Sequence, residues 1–194
     1  MDLSWNDRRT RQFITNVGLI TTNGPLGPDI MAAEWTHHIS YSPSLISVNI
    51  RGHDATAKNI EVSKEFGVNI AAEDHNVMCS IAGRYSGRNV DKISVLKGSG
   101  IASFYDAKQI KAPMLQGAAM NAECKLIKQE DQLGDHIMFV GEVIQISADE
   151  NKRPLVYHNG RYWMLGETIV RPSAEIFNRI EELAMRYPRN GAAT

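Results

Sequence analysis

A chain of 194 residues with 43% hydrophobic and 22% charged side chains has the make-up of a folded globular protein, with apolar material for one enlarged core or two small ones, and this excludes disorder and collagen-like architectures. Lys plus Arg number 21 against 22 for Asp plus Glu, a formal net charge of -1. Without clustered positive charge there is no electrostatic footprint for nucleic acid or an anionic membrane. The longest apolar runs, such as residues 30–33 and 137–140, fall far short of the roughly 20 residues that span a bilayer. The stretch from Met1 to Arg9 has no basic segment followed by an apolar one, so a cytoplasmic address is expected. Cys79 and Cys124 are too few and too far apart for a disulfide framework or a CxxC pair.

In chain order, residues 12–22 are rich in Ile, Val and Thr and end at Asn23-Gly24-Pro25-Leu26-Gly27-Pro28, which predicts a strand running into a loop. Residues 30–39 predict a second strand, and the period-2 alternation of residues 45–51 a third. Asp54 is placed to cap a helix running to about Phe66, followed by a short strand over 66–72. Asp74 is placed to cap another helix, with Val77, Met78, Ile81, Ala82 and Tyr85 on one face, and a short helix is expected over 91–96. Strands are predicted over 119–128, 136–146 and 155–165, the last broken at His158-Asn159-Gly160, where Asn-Gly is the strongest short hairpin signal. Pro172-Ser173 opens a closing helix with Ile176, Ile180, Leu183, Ala184 and Tyr187 on one stripe. No fixed-period repeat and no GxGxxG or GxxxxGK[ST] motif occurs, so the expectation is a single domain, mainly β with peripheral helices, closed or nearly closed into a barrel.

Three clusters could carry chemistry. Met31, Ala32, Ala33, Glu34 and Trp35 combine small side chains with polar ones inside a strand; a planar group could approach such a backbone and be read by its N–H and C=O groups, or the strand is simply packed under a helix. Asn49, Arg51, His53, Thr56 and Lys58, with Ile50 between the first two, surround the start of the helix at Asp54. Free N–H groups, the positive end of the helix dipole, a hydroxyl and cations suit a phosphate, or they mark a solvated helix start. Gly134-Asp135-His136 places a histidine at a strand entry, where it could hydrogen-bond a redox-active ring or serve the fold alone. Cys124 reads as a small buried hydrophobe. His75 and Cys79 lie four apart on the predicted helix, but no second pair accompanies them, and a metal site is not expected.

The order of Val17-Gly18-Leu19-Ile20-Thr21-Thr22, Asp29-Ile30-Met31-Ala32-Ala33-Glu34-Trp35, the junction from Ile39 to Val48, and Thr56 resembles the flavin reductase-like proteins, flavoredoxin branch. Downstream, Phe66-Gly67-Val68-Asn69-Ile70, Asp91-Lys92, Glu123-Cys124, Gly134-Asp135-His136, Pro154-Leu155-Val156-Tyr157 and residues 160–166 fall in the same order. The likeness covers about residues 12–170. It implies an FMN-binding split β-barrel of the Greek-key type, as one domain over 1–194 with a helix near 173–187, that forms a homodimer. It implies that the backbone of Met31 to Trp35 faces the isoalloxazine, that Asn49, Arg51 and Thr56 take the phosphate with Ile50, His53 and Lys58 nearby, and that His136 lies toward the flavin or the electron donor. The implied activity is NAD(P)H-dependent flavin reduction, a hydride passing from NADH or NADPH to N5 of FMN and on to free flavin or a protein acceptor. The alternative is an FMN-bearing electron-transfer protein without efficient NAD(P)H turnover. The family more often has Asn where Asp29 stands and a second Pro where Ser44 follows Pro43.

Overall fold

The computed structural model describes residues 1–3 and 7–187; residues 4–6 of the N-terminal stretch read above lie outside the described residues. Its framework is a seven-stranded antiparallel sheet. The first predicted strand divides at Val17 into β1 (Ile14–Asn16) and β2 (Gly18–Thr22), because the two halves serve different sheets. β2 joins β3 (Asp29–Ala33) and β6 (Glu65–Ile70), and β1 joins β11 (Val156–His158) and β12 (Arg161–Trp163) in a separate three-stranded sheet.

The second predicted strand also divides, into β3 and β4 (Thr36–Tyr41), with Glu34 and Trp35 between them. The cause is topological. With β5 (Ser44–Ile50), β9 (Met120–Glu130) and β10 (Ile137–Ala148) the sheet order is β3-β2-β6-β9-β10-β5-β4, so β3 and β4 are its opposite edges. Two residues link those edges, and the sheet must curl until they meet there, which leaves a split barrel and not a flat sheet. Contacts mark the closure: Asn49 N donates to Trp35 O (3.0 Å), Asn16 Nδ2 donates to Thr36 O (3.0 Å), and Gly18 is bare where a Cβ would run into the Thr36 side chain. Register shifts at Val140/Gly141 and Val143/Gln145 bend β10. A Cβ at Gly141 would lie 2.5 Å from the Phe66 ring, so the bend depends on glycine.

Alternation along β2 sends Ile20 into the barrel with Val48, Phe66, Cys124 and Phe139, and Leu19 outward to a second core with Met78, Leu96, Leu115 and Leu155. Cys124 is fully buried, as expected. Helix α1 (Ala55–Ser63), with Asp54 at its N-cap, covers the barrel through Ala57 and Ile60, and it stops at Lys64 in the left-handed region, short of Phe66. Helix α2 (Asn76–Arg84) starts one residue later than expected, with His75 at the N-cap. The Asp74 carboxylate is taken by Lys152 Nζ at 2.5 Å. The buried face of α2 is Met78, Cys79 and Ala82, while Val77 and Tyr85 are exposed. Helix α3 (Lys92–Gly98) is capped by Asp91, which accepts from Ser94 N at 2.9 Å.

The short pair β7 (Phe104–Asp106) and β8 (Pro113–Leu115) was not legible in the pattern, since three-residue strands, one opening on proline, carry no alternation to read. The Asn159-Gly160 hairpin joins β11 and β12 as predicted, both residues at positive φ. Helix α4 (Ala174–Arg186), capped by Ser173, has no buried residue. The molecule is thus mainly β with peripheral helices. Among the described residues no helix is long and apolar enough to cross a membrane.

Candidate functional site

A cavity of about 500 Å³ opens where the sheet edges meet. One wall is β3 with Met31, Ala32 and Ala33, continued by Glu34 and Trp35. Because β3 pairs, among the described residues, only with β2, every second residue on it turns a backbone N–H and C=O away from the sheet. Those groups, beside two alanines, form a hydrogen-bonding edge that a flat heterocycle can reach. Opposite stands α2, where a Cβ on Gly83 would come to 3.5 Å from Ala32 Cβ; a larger side chain there would narrow the cleft.

The other wall follows from strand register. Ile137 pairs with Ile50, so the preceding His136 falls across from Arg51, and Trp35 falls across from Asn49, whose Nδ2 also donates to Trp35 O (3.4 Å). The Trp35 and His136 rings lie 4.6 Å apart, tilted by 51°. His136 Nδ1 and Asp135 Oδ1 meet at 2.7 Å, and that hydrogen bond, followed by the imidazole's charge, holds the Asp135 carboxyl below its usual range. Arg88 Nε donates to His53 O (2.7 Å), bracing the loop between Arg51 and α1. Asp54 makes no side-chain cap to the first turn of α1.

Burial pushes Glu34 up. It pushes the phenols of Tyr157 and Tyr162 up as well, the former with help from the Glu34 charge. The two tyrosine rings, 5.6 Å apart, complete the end of the cavity with Cys79 and Ser80 of α2. Burial pushes the Cys79 thiol up to about 12, which leaves it protonated and a poor nucleophile.

The structure therefore gathers Met31, Ala32, Ala33, Glu34, Trp35, Asn49, Arg51, His53 and His136 about one cavity. It does not bring Ile50, Thr56 or Lys58 to that wall. Ile50 points into the barrel core, as alternation along β5 dictates, and Lys58 is a turn further along α1, paired with Glu61 at 3.6 Å. Thr56 belongs to an adjoining depression of about 180 Å³ that shares Met31, Asp54 and Gly83 with the cavity. There Thr56 Oγ1 donates to Asp29 Oδ2 (2.7 Å), Lys92 Nζ lies 3.1 Å from Asp29 Oδ1 and Lys92 donates to Ala82 O (3.3 Å). Both charged side chains are almost wholly buried.

Sequence reasoning missed Lys92, Tyr157 and Tyr162. A lysine just after a helix cap reads as solvated, and nothing local ties it to Asp29. His75 and Cys79 do not present a ligand pair: His75 Nδ1 accepts from Ala72 N (3.3 Å) and Cys79 is buried. Among the described residues no three His, Cys, Asp or Glu side chains gather as a metal site.

Comparison with known proteins places these features. The sequence profile described as flavin reductase like domain matches residues 10–166. An uncharacterized protein of Archaeoglobus fulgidus is 29% identical over 128 residues, 66% of this chain and 70% of that one. Among solved structures, flavoredoxin of Desulfovibrio vulgaris (Miyazaki F) superposes with a TM-score of 0.73 at 25% identity, covering 90% of this chain and 98% of that one. BorF, the flavin reductase component of a bacterial two-component tryptophan halogenase, does so with a TM-score of 0.70 at 27% identity, covering 82% and 96%. With that profile spanning the whole of the curled sheet and its cavity, the chain belongs to the flavin reductase like domain family.

Proposed function

We propose that this protein is an FMN-binding oxidoreductase, an NAD(P)H-dependent flavin reductase that hands electrons on to free flavin or a protein acceptor. The observation that carries the reading is the unpaired edge of β3 facing a cavity whose other wall presents Arg51, Asn49, Trp35 and His136. These residues fit a flavin: Ala32 and Ala33 leave room for a ring, the strand edge supplies donors and acceptors for its polar side, and Arg51 beside the uncapped start of α1 supplies positive potential for a phosphate. A bound flavin supplies hydride acceptance from a reduced nicotinamide and release of the electrons to a second acceptor. The chain's own residues bind and orient. The backbone of residues 31–35 fixes the ring, Arg51 and Asn49 hold the ribityl phosphate side with Thr56 behind them, and Trp35 with His136 shapes the face on which a nicotinamide stacks. Asp135 keeps the His136 Nδ1 engaged, leaving Nε2 to hydrogen-bond the flavin or its donor. Similarity to BorF, the reductase component of a two-component system, supports this reading.

A second reading, an FMN-bearing electron-transfer protein with no efficient NAD(P)H turnover, is favoured by the similarity to flavoredoxin. In either case we take residues 12–170 with the closing helix as one domain, and the protein as a homodimer. Phe13, Ile14 and Tyr41, together with the Ile176, Ile180 and Leu183 stripe of α4, leave apolar surface in water for a second copy. Titration of the protein with FMN, followed by steady-state NADH and NADPH oxidation with excess free flavin, tests the reading. Flavin binding with catalytic nicotinamide oxidation is expected. Binding with no turnover selects the carrier, and no binding refutes both.

A further inference from the structure

Accepting that the cavity holds a flavin, we infer that Asp29 is a specificity-determining residue: it takes the charge and the hydroxyl that would otherwise grip a phosphomonoester, so the site holds flavins with little regard for the terminal phosphate and lets them exchange. The depression beside the cavity is where a ribityl tail ends, since the two volumes share Met31, Asp54 and Gly83. It holds what a phosphate needs, namely the start of the nine-residue helix α1, a hydroxyl on Thr56 and an ammonium on Lys92. Yet Lys92 Nζ faces Asp29 Oδ1 at 3.1 Å, and Thr56 Oγ1 donates to the other carboxylate oxygen at 2.7 Å.

The arrangement is built into the fold. Gly87 is bare where a Cβ would collide with the Asp29 carboxylate, and both charged side chains are shut away from water. The other ionisable groups lining the depression are Asp54, Arg84 and Tyr85, so its two cations, Arg84 and Lys92, are matched by two anions, Asp29 and Asp54. From the side chains of the depression an arriving phosphate dianion meets no net positive charge; Arg51 on the cavity wall is left as its cation, and to gain a second it must displace Asp29 or share Lys92 with it. At these distances one uncompensated charge changes affinity by roughly tenfold or more. Weak selection for the phosphate makes the flavin a substrate that enters oxidised and leaves reduced, which favours the reductase reading over a carrier with a resident cofactor.

The test is fluorescence titration with riboflavin and with FMN for wild type, Asp29→Asn and Lys92→Gln, each variant shown folded by circular dichroism at the titration temperature. Wild type is expected to bind the two flavins within about tenfold of each other. Asp29→Asn frees Lys92 and should raise the preference for FMN roughly tenfold or more, while Lys92→Gln should lower it, with riboflavin affinity little changed in both. A purely structural pair would instead weaken both flavins together in both variants. An FMN-to-riboflavin ratio unmoved by either substitution would overturn the inference and leave flavin binding intact. Failure of wild type to bind either flavin would overturn the flavin reading itself.

Discussion

In the depression adjoining the cavity, the inner end of the site, Asp29 and Lys92 are each 3% exposed and face one another at 3.1 Å, whereas at the cavity mouth Asp135, 83% exposed, meets His136 at 2.7 Å. The shorter contact is the weaker constraint. Water solvates Asp135 whether or not His136 is present, so that pair adds little to stability. The inner pair has no such recourse, because removing one partner strands the other's charge in a medium that cannot solvate it. Charge at the inner end is fixed by folding, and charge at the mouth is available to chemistry.

Substitutions can break or sharpen that contrast. Lys92→Met should destabilise the fold by about 3–5 kcal/mol by leaving Asp29 buried alone, a fall in Tm of roughly 6–20 °C for a chain of this size; thermal unfolding with a fall below about 2 °C would erase the distinction between the two ends. Arg51→Ala, at an exposed position, should leave Tm unchanged while weakening FMN retention by roughly tenfold, the low end for a hydrogen-bonded charge; equilibrium dialysis reads it. Glu34→Gln tests the wall between the ends. Burial raises Glu34 in the folded state, so its protonated form contributes stability at acid pH that is lost as pH rises through the folded value. The glutamine variant should therefore lose this downward slope and gain slightly over wild type near neutrality in pH-dependent unfolding. Asp135→Asn is expected to do least: no measurable shift in Tm between pH 6 and 8, the outcome that sets the mouth apart from Lys92.

Elements with a strong local signal were legible in the sequence: the alternating β5, the Asn159-Gly160 hairpin, the short helix expected over 91–96 and the buried Cys124. What could not be read is non-local. Nothing at Glu34-Trp35 marks a break, because no turn former is needed where a strand passes from one sheet edge to the other; the break exists only once β3 and β4 are known to be opposite edges. Most of the candidate site was legible, since Met31 to Trp35 and Asn49 to His53 are continuous segments and His136 starts a clear strand. Thr56 and Lys58 were placed by their proximity to the helix start and by the resemblance. Hydrogen bonding to Asp29 draws Thr56 into the neighbouring depression, and Lys58 is carried round the helix toward Glu61. The Asp29–Lys92 pair joins segments remote in sequence, and only packing reveals it.

The account is tested most directly by anaerobic mixing of the FMN-loaded protein with NADH and, separately, NADPH while the visible flavin absorbance is followed. Bleaching by at least one of the two, followed by recovery when free oxidised flavin is added, is the predicted result. Persistence of the oxidised spectrum with both nicotinamides, in a sample that dithionite bleaches fully, would contradict it.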